Sequence, residues 1–341
     1  MNYRDIRNLS YEELLAYLKT QEEKVFRAHQ IFDWIYKKGA KNFEGMTNIS
    51  KGLVQKLKND FSFLQCELLK QNDSLDGTVK FLFKLEDNEK IETVVIPAVD
   101  RATVCVSTQA GCKFRCAFCA SGRGGFSRDL TCAEIVSQIL YVKNHSPQPL
   151  SHVVFMGTGE PLDNYDNVMK AVRLINSKQG MNIAARHITI STCGLIPEML
   201  RLTQEDLQIE LSVSLHGSND EVRNILMPVN KKYPLEDLIE ACREYIKRTN
   251  RQITFEYILI KDLTCTAEAA QELGGLLRNM ICKVNLIPCN PVDELRYQPP
   301  QKLEILFFKK KLTELGIHAT VRLPRGRDID AACGQLRYAA G

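Results

Sequence analysis

Residues 102–119 read ATVCVS (102–107), TQAG (108–111) and CKFRCAFC (112–119), and the organisation of the chain follows from them. Val104 and Val106 alternate with smaller residues at the period of a β-strand. A glycine-bounded loop with three cysteines comes next. Residues 131–145, TCAEIVSQILYVKNH, then carry apolar side chains at helical spacing, and residues 152–157, HVVFMG, form a second strand candidate. Strand, loop, helix and strand make a β-α-β unit, which requires the two strands to run parallel. The unit repeats downstream. Strand candidates HITIS (187–191), IELSVSLH (209–216), ITFEYILI (253–260), KVNLIP (283–288) and HATVRL (318–323) are separated by helical stretches at 164–178, 234–248 and 267–280. Such repetition predicts an α/β protein with a parallel sheet, either doubly wound or curled into a full or partial barrel. In each case the functional site belongs at the C-terminal ends of the strands.

The cysteine loop lies at one such end. Cys112, Cys116 and Cys119 form a C-x3-C-x2-C run. Thiolates are soft ligands suited to iron–sulfur clusters, and this spacing lets one loop wrap a cubane. Three cysteines for four irons leave one iron open to bind a substrate directly. A structural zinc site would require a fourth nearby ligand with paired C-x2-C spacing, and Cys132, inside the predicted helix, is poorly placed to supply it. With Phe118 before the last cysteine, the run resembles the signature of the radical S-adenosylmethionine superfamily. That resemblance implies a 4Fe–4S cluster, S-adenosylmethionine chelated to the open iron, and Phe118 near the adenine of the cofactor.

The remaining strand ends carry polar residues that suit a ligand. Gly157-Thr158-Gly159-Glu160-Pro161 follows HVVF; its glycines allow close backbone approach, and Glu160 can accept hydrogen bonds from an ammonium. The stretch resembles the superfamily's GGEP motif, with Thr158 as a variation. Ser191, Ser214, His216 and Asn290 each end or follow a strand, so four scattered polar residues should converge on one rim. A polar loop residue alone is more often simply satisfied by its surroundings; their shared position favours a cofactor.

Composition narrows the setting. The 341 residues, 44 % hydrophobic and 25 % charged, suit a globular enzyme. No stretch of the sequence has the apolar length of a membrane span or the core of a signal peptide, so a cytoplasmic protein is expected. Its 12 cysteines are then expected to be reduced rather than to form a disulfide scaffold. A net charge of +4 permits a polyanionic partner without arguing for one. Residues 1–90 read as a separate, mainly helical accessory module, with the catalytic domain at 91–341. Ser10 and Glu13 fit a capping box for a helix ending near Thr20. FRAHQIFDWIYKK (26–38) reads as a second helix, and Ser50 is placed to cap a third. TVKFLFKLE (78–86) and KIETVVIP (90–97) flank Asp87-Asn88 as a hairpin. Lys37, Lys38 and Lys41 form the module's most obvious basic cluster and are candidates for phosphate contacts.

Cys105, Glu92 and Cys333 gain meaning only from a wider resemblance. ETVVIP, CVSTQAGC, MGTGEPLDN, ISTCGL, SVSLHG, NLIPCNP and RGRDIDAACGQL stand in the order seen in the RlmN family of radical methyltransferases. The resemblance covers nearly the whole chain. It implies a partial (β/α)6 barrel with a small N-terminal helical domain that binds RNA. It also implies methylation of carbon 2 of an adenosine in 23S rRNA, and of the adenosine 3′ to the anticodon in tRNA. An electron donor such as flavodoxin or ferredoxin would supply the cluster, and the chain would act as a monomer. An adenine ring carbon is not nucleophilic, so it cannot take a methyl group by simple displacement, whereas a thiolate can. By the resemblance, Cys333 first receives a methyl group. A 5′-deoxyadenosyl radical then removes hydrogen from it, and the carbon radical adds to adenine to form a covalent protein–RNA adduct. Glu92 accepts a proton, and Cys105 attacks the Cys333 sulfur, forming a transient disulfide as methylated RNA leaves.

Cys193 and Cys289 occupy rim positions where the family needs no thiol, and they are expected to be inert or to complicate that disulfide assignment. Three other readings compete: a Cfr-like carbon-8 methyltransferase, an iron–sulfur RNA-binding or redox-sensing protein without turnover, and an activase acting on a protein glycine. Pro161 after Glu160 and the PRGRDIDAACGQL context favour carbon 2 over carbon 8. A sensor would not need the Cys105/Cys333 pair or the GTGEP rim, and DIDAACGQL argues against the activase.

Overall fold

A computed structural model of the protein describes residues 4–63, 66–290 and 297–336; Pro291 of the NLIPCNP stretch lies outside them. Among these residues the main sheet has ten strands: β1 (Glu67–Asp73), β2 (Val79–Lys84), β3 (Lys90–Pro97), β4 (Ala102–Cys105), β5 (Leu150–Phe155), β6 (Ile188–Thr192), β7 (Glu210–Ser214), β8 (Ile253–Leu259), β9 (Cys282–Pro288) and β10 (Ala319–Val321). They lie side by side in chain order. β1 to β4 pair antiparallel, and every pair from β4 to β10 is parallel. A doubly wound sheet reverses its order at a switch point. This one never does, so successive right-handed crossovers stay on one side, as in a barrel. The two edge strands do not pair, which makes the barrel partial.

The register explains the alternation in the sequence. Parallel strands covered on both faces usually read as continuous apolar runs. Here Ser191 pairs with Ser212, Ser214 with Glu256, Glu256 with Asn285, and Asn285 with Thr320, so a polar band runs across one face. The opposite face carries Ile190, Leu211, Val213, Phe255, Val284 and Leu286, all buried against the helices. Those helices are α4 (Cys132–His145), α5 (Tyr165–Asn176), α6 (Ile196–Leu202), α7 (Asp220–Leu226), α8 (Leu235–Thr249), α9 (Ala267–Leu276) and α10 (Lys302–Glu314).

The N-terminal module holds α1 (Tyr11–Thr20), α2 (Phe26–Phe32) and α3 (Lys51–Asp60). Ser10 and Glu13 form the reciprocal capping box, and Ser50 Oγ accepts from Leu53 N. The predicted second helix is not uniform: beyond Phe32 it widens into a π-helical turn, Asp33–Lys37, with Lys38 N bonded to Asp33 O. The module is fixed to α4. Asn8 Oδ1 accepts from Ala133 N, Lys143 Nζ donates to Tyr36 O, and the Cys132 thiol donates to Arg7 O. Cys132 is therefore engaged with the module, away from the cysteine loop. The β2–β3 hairpin turns at Asn88, whose φ is +69°, and strand β1 joins it as an outer edge.

Candidate active site

The cysteine loop leaves β4 along a short ribbon, Gln109–Gly111 against Phe126–Asp129. Gly111 has φ +79°, and a Cβ there would come within 2.0 Å of Gly125 O, so only glycine lets the ribbon close. Cys112 N then donates to Gly125 O, Cys119 N to Cys116 O, and Ala117 N to Leu226 O at the end of α7. The loop is thus pinned at its start and in its middle, and closed on itself at its end. Cys112, Cys116 and Cys119 line one cavity of about 170 Å³ at the C-terminal ends of the parallel strands. Burial pushes the Cys112 thiol up to about 11 and raises Cys116 and Cys119 as well, with neighbouring thiols adding to the effect. Three thiolates crowded here are stable only beside positive charge, which a bound iron cluster supplies. Among the described residues no set of ligand side chains is gathered as for a single metal ion. The donor set is three soft thiols of one loop lining one cavity, the chemistry that suits an iron–sulfur cluster.

The same cavity is lined by Phe118, Gly159, Glu160, Ser191, Ser214 and His216. Gly159 has φ +106° and lies against Gln109, where a Cβ would come within 2.6 Å of the Gln109 side chain. Thr158 is tolerated because its carbonyl, not its side chain, faces this contact and accepts from both Thr108 N and Gln109 N. Glu160 is buried and accepts from Cys193 N at 2.7 Å and Leu162 N at 3.1 Å. Burial nevertheless raises its pKa, and an ammonium at the open side would restore the charge. His216, with φ +55°, accepts from Ile258 N through Nδ1, which places its proton on Nε2. Its ring meets Phe118 edge-on at 4.7 Å. Burial and then Arg223 push it down to about 3, so it stays neutral at physiological pH.

Cys333 opens on this cavity, and its neighbour Gly334 accepts from Ala120 N, directly after the cysteine loop. Asn290 Nδ2 donates to Cys333 O, while Asn290 Oδ1 is buried without a partner among the described residues. Cys105 lies behind the cavity, in a small apolar cluster with Val94, Ala331 and Leu336. Both cysteines are free thiols, Cys333 exposed and Cys105 buried. Glu92 stands apart, in a separate cavity of about 680 Å³ with Asp328 and Asp330. There its carboxylate meets Lys80 Nζ at 3.2 Å, and Lys80 also donates to Asp330 O. Cys193 lines the main cavity beside Glu160, and Cys289 is buried with its thiol directed at Asn290 O.

Sequence reading missed three residues here. Arg322 and Glu256 line the cavity, and Lys80 holds Glu92. Arg322 ends a strand, the same signal that marked Ser191 and Ser214. Glu256 was visible as a lone carboxylate inside ITFEYILI.

Comparisons with known proteins identify the family of the chain. The radical SAM superfamily matches residues 106–266, and the ribosomal RNA large subunit methyltransferase N-terminal domain matches residues 4–62. Probable dual-specificity RNA methyltransferases RlmN of Bacillus thuringiensis (strain Al Hakam) and Bacillus cereus (strain AH187) are each 48 % identical over 97 % of this chain and 92 % of theirs. A radical SAM methyltransferase from Sphaerobacter thermophilus superposes with a TM-score of 0.93 at 41 % identity, covering 98 % of this chain and 99 % of that one. With one family model over the sheet that builds the cavity, another over the accessory module, and relatives 48 % identical across 97 % of its length, the chain belongs to the RlmN family of radical SAM methyltransferases.

Proposed function

We propose that the protein methylates carbon 2 of adenosine in 23S rRNA and in tRNA, through a methylated Cys333 and a covalent protein–RNA adduct. The observation that carries this reading is the path of the Cys333 segment. It crosses the sheet face that holds Cys105 and Glu92 and opens on the cavity of the three cluster cysteines. Cys112, Cys116 and Cys119 would hold a 4Fe–4S cluster; Glu160, Ser191, Ser214, His216, Asn290, Gly159 and Phe118 would hold S-adenosylmethionine. When bound, cluster and cofactor supply the methyl group and the radical that activates it.

The residues of the chain do the rest. Cys333, exposed at the cavity mouth, carries the methyl group and the bond to RNA. Glu92 takes the proton displaced from the adenine ring; burial raises its pKa against the pull of Lys80, which suits a proton acceptor. Cys105 then attacks the Cys333 sulfur, which frees the product and leaves a disulfide that a cellular reductant must reopen. Residues 1–90 serve as the RNA-holding module and 91–341 as the catalytic domain, with β1 and β2 joining the two in one sheet. The setting is the cytoplasm, with a flavodoxin- or ferredoxin-class donor and a monomeric enzyme; among the described residues no helix is long and apolar enough to cross a membrane.

Anaerobic incubation of reconstituted protein with cofactor, reductant and RNA tests the reading by mass spectrometry. Cys333→Ala should give neither methylated RNA nor adduct. Cys105→Ala should accumulate a cross-linked protein–RNA species that vanishes in the double variant, while Cys193→Ala and Cys289→Ala turn over. Free product formed at the wild-type rate by Cys105→Ala would remove it from the release step, and a methyl group on carbon 8 would change the assigned position.

A further inference from the structure

Arg223 is among the largest side chains in the protein with no exposed surface, and it sits in α7 next to the cysteine loop. Its guanidinium donates to Leu215 O at 3.1 Å, Cys193 O at 2.8 Å, Ser214 O at 3.4 Å and Asn230 Oδ1 at 2.6 Å. None of these acceptors is a carboxylate. Asp220 lies one step further out, bonded to Asn230 Nδ2. A buried cation without an adjacent anion is costly unless its surroundings supply negative charge.

The chain makes room for this residue at two places. At Gly217 a Cβ would lie 2.9 Å from Arg223 Cβ. At Gly194, φ +105°, it would lie 2.9 Å from Leu238 and 3.4 Å from the guanidinium. These are the glycines of SVSLHG and ISTCGL, so two motif positions exist partly to admit Arg223. The carbonyls it gathers follow β6 and end β7, the strands that bring Ser191, Ser214 and His216 to the cavity. The carbonyl of Leu226, at the far end of α7, takes Ala117 N of the cysteine loop. Cys193 and Ser214, whose carbonyls Arg223 holds, line the same cavity as Cys112, Cys116 and Cys119.

We propose that Arg223 is a positioning residue and the fixed counter-charge of the cluster: it ties the β6, β7 and cysteine loops together and favours uptake of the electron. The inference rests on the cluster assigned above. One-electron reduction by a flavodoxin- or ferredoxin-class donor adds a negative charge to three thiolates and their irons, and a buried cation nearby stabilises that state.

The test is a mediated redox titration of full-length reconstituted protein, followed by electron paramagnetic resonance of the reduced cluster. Arg223→Gln should lower the midpoint potential, cutting the reduced-to-oxidised ratio by ~10-fold at the wild-type midpoint, as one unit charge at close range would. Arg223→Lys keeps the charge and should titrate near wild type even if it folds less stably. The paired exchange Asp220→Asn with Asn230→Asp moves a carboxylate onto the guanidinium at constant total charge. It should also lower the potential, and it carries the test if Arg223→Gln does not fold. A wild-type midpoint in both Arg223→Gln and the paired exchange, or in the latter alone if the former is not folded, overturns the inference and leaves the cluster assignment standing. A wild-type chain that takes up no 4Fe–4S cluster overturns both.

Discussion

Cys105 and Cys333 are the same chemical group in opposite surroundings, and the difference sets the order of their proposed work. Burial, with Cys333 adding, pushes the Cys105 thiol up to about 12; Arg322 opposes the shift without cancelling it. At neutral pH Cys105 is therefore protonated and a slow nucleophile, which guards against early oxidation with its neighbour. Below its pKa the thiolate fraction rises ~10-fold per pH unit. Release of RNA from a preformed adduct should accelerate in the same proportion between about pH 7 and pH 9, measured by single-turnover loss of the cross-link. A pH-independent release would show that Cys105 does not act as a free thiolate. At this scale, what the sequence revealed depended on where a residue stood. Ser191, Ser214 and His216 were legible because they end strands. Arg223 was not, because NDEVRNIL reads as an exposed helix, and nothing local tells that its side chain turns inward beneath Gly217.

At the level of elements, the turn between β1 and β2 clamps the segment that leads to Cys333. Asp76 accepts from Gly326 N at 2.9 Å, and Asp328 accepts from Leu75 N at 3.0 Å and from Ser74 Oγ. Gly326, φ +64°, has no room for a Cβ between Ala331 and Thr78. Burial would raise the Asp76 pKa, but hydrogen bonds from Thr78, Gly326 and Ser74 outweigh it and hold the acid down at about 2. A depressed acid stabilises above its unfolded pKa, near ~3.8, so the clamp should be intact at neutral pH and lost only as pH falls towards about 2. Asp76→Ala should cost ~1 kcal/mol, the low end for a charged hydrogen bond at an exposed site. Faster amide exchange in residues 326–336 of that variant, with the cysteine loop unchanged, is the expected signature; unaltered exchange there would mean the segment is held by other contacts. Strand β1 itself escaped the sequence reading because nearly all its residues face solvent, so no apolar alternation marks it. The seven parallel strands were legible because one face of each is buried.

For the molecule as a whole, a β-α repeat predicts both wound and barrel sheets, and only the pairing order separates them. Net charge of +4 gives equally little guidance to the RNA surface. The structure qualifies the lysine cluster proposed for it. Lys37 and Lys38 both reach Asp33, at 3.0 Å and 3.9 Å, and Lys38 also sits 3.9 Å over the Trp34 ring. These pairs are exposed and weak enough for phosphate to replace them. Joint replacement of Lys37, Lys38 and Lys41 by alanine should weaken RNA binding and flatten the logarithmic salt dependence by up to ~3 units, at ~0.9 per lost phosphate contact. Equal slopes for variant and wild type would move the phosphate track elsewhere on the module.

The strand order has a further consequence for how the protein matures. Cys333 lies beyond the last strand, yet its segment is tied to Ser74, Asp76 and Lys80, with Asp328 some 254 residues from Ser74 along the chain. Closing so long a loop is entropically expensive and slow. The cysteine loop and its ribbon are local and can form early; the segment with Cys333 docks only once the sheet offers both its flanks. A refolding chain should therefore form its cysteine loop before the segment that carries Cys333 docks, so the two parts of the cavity wall mature in sequence.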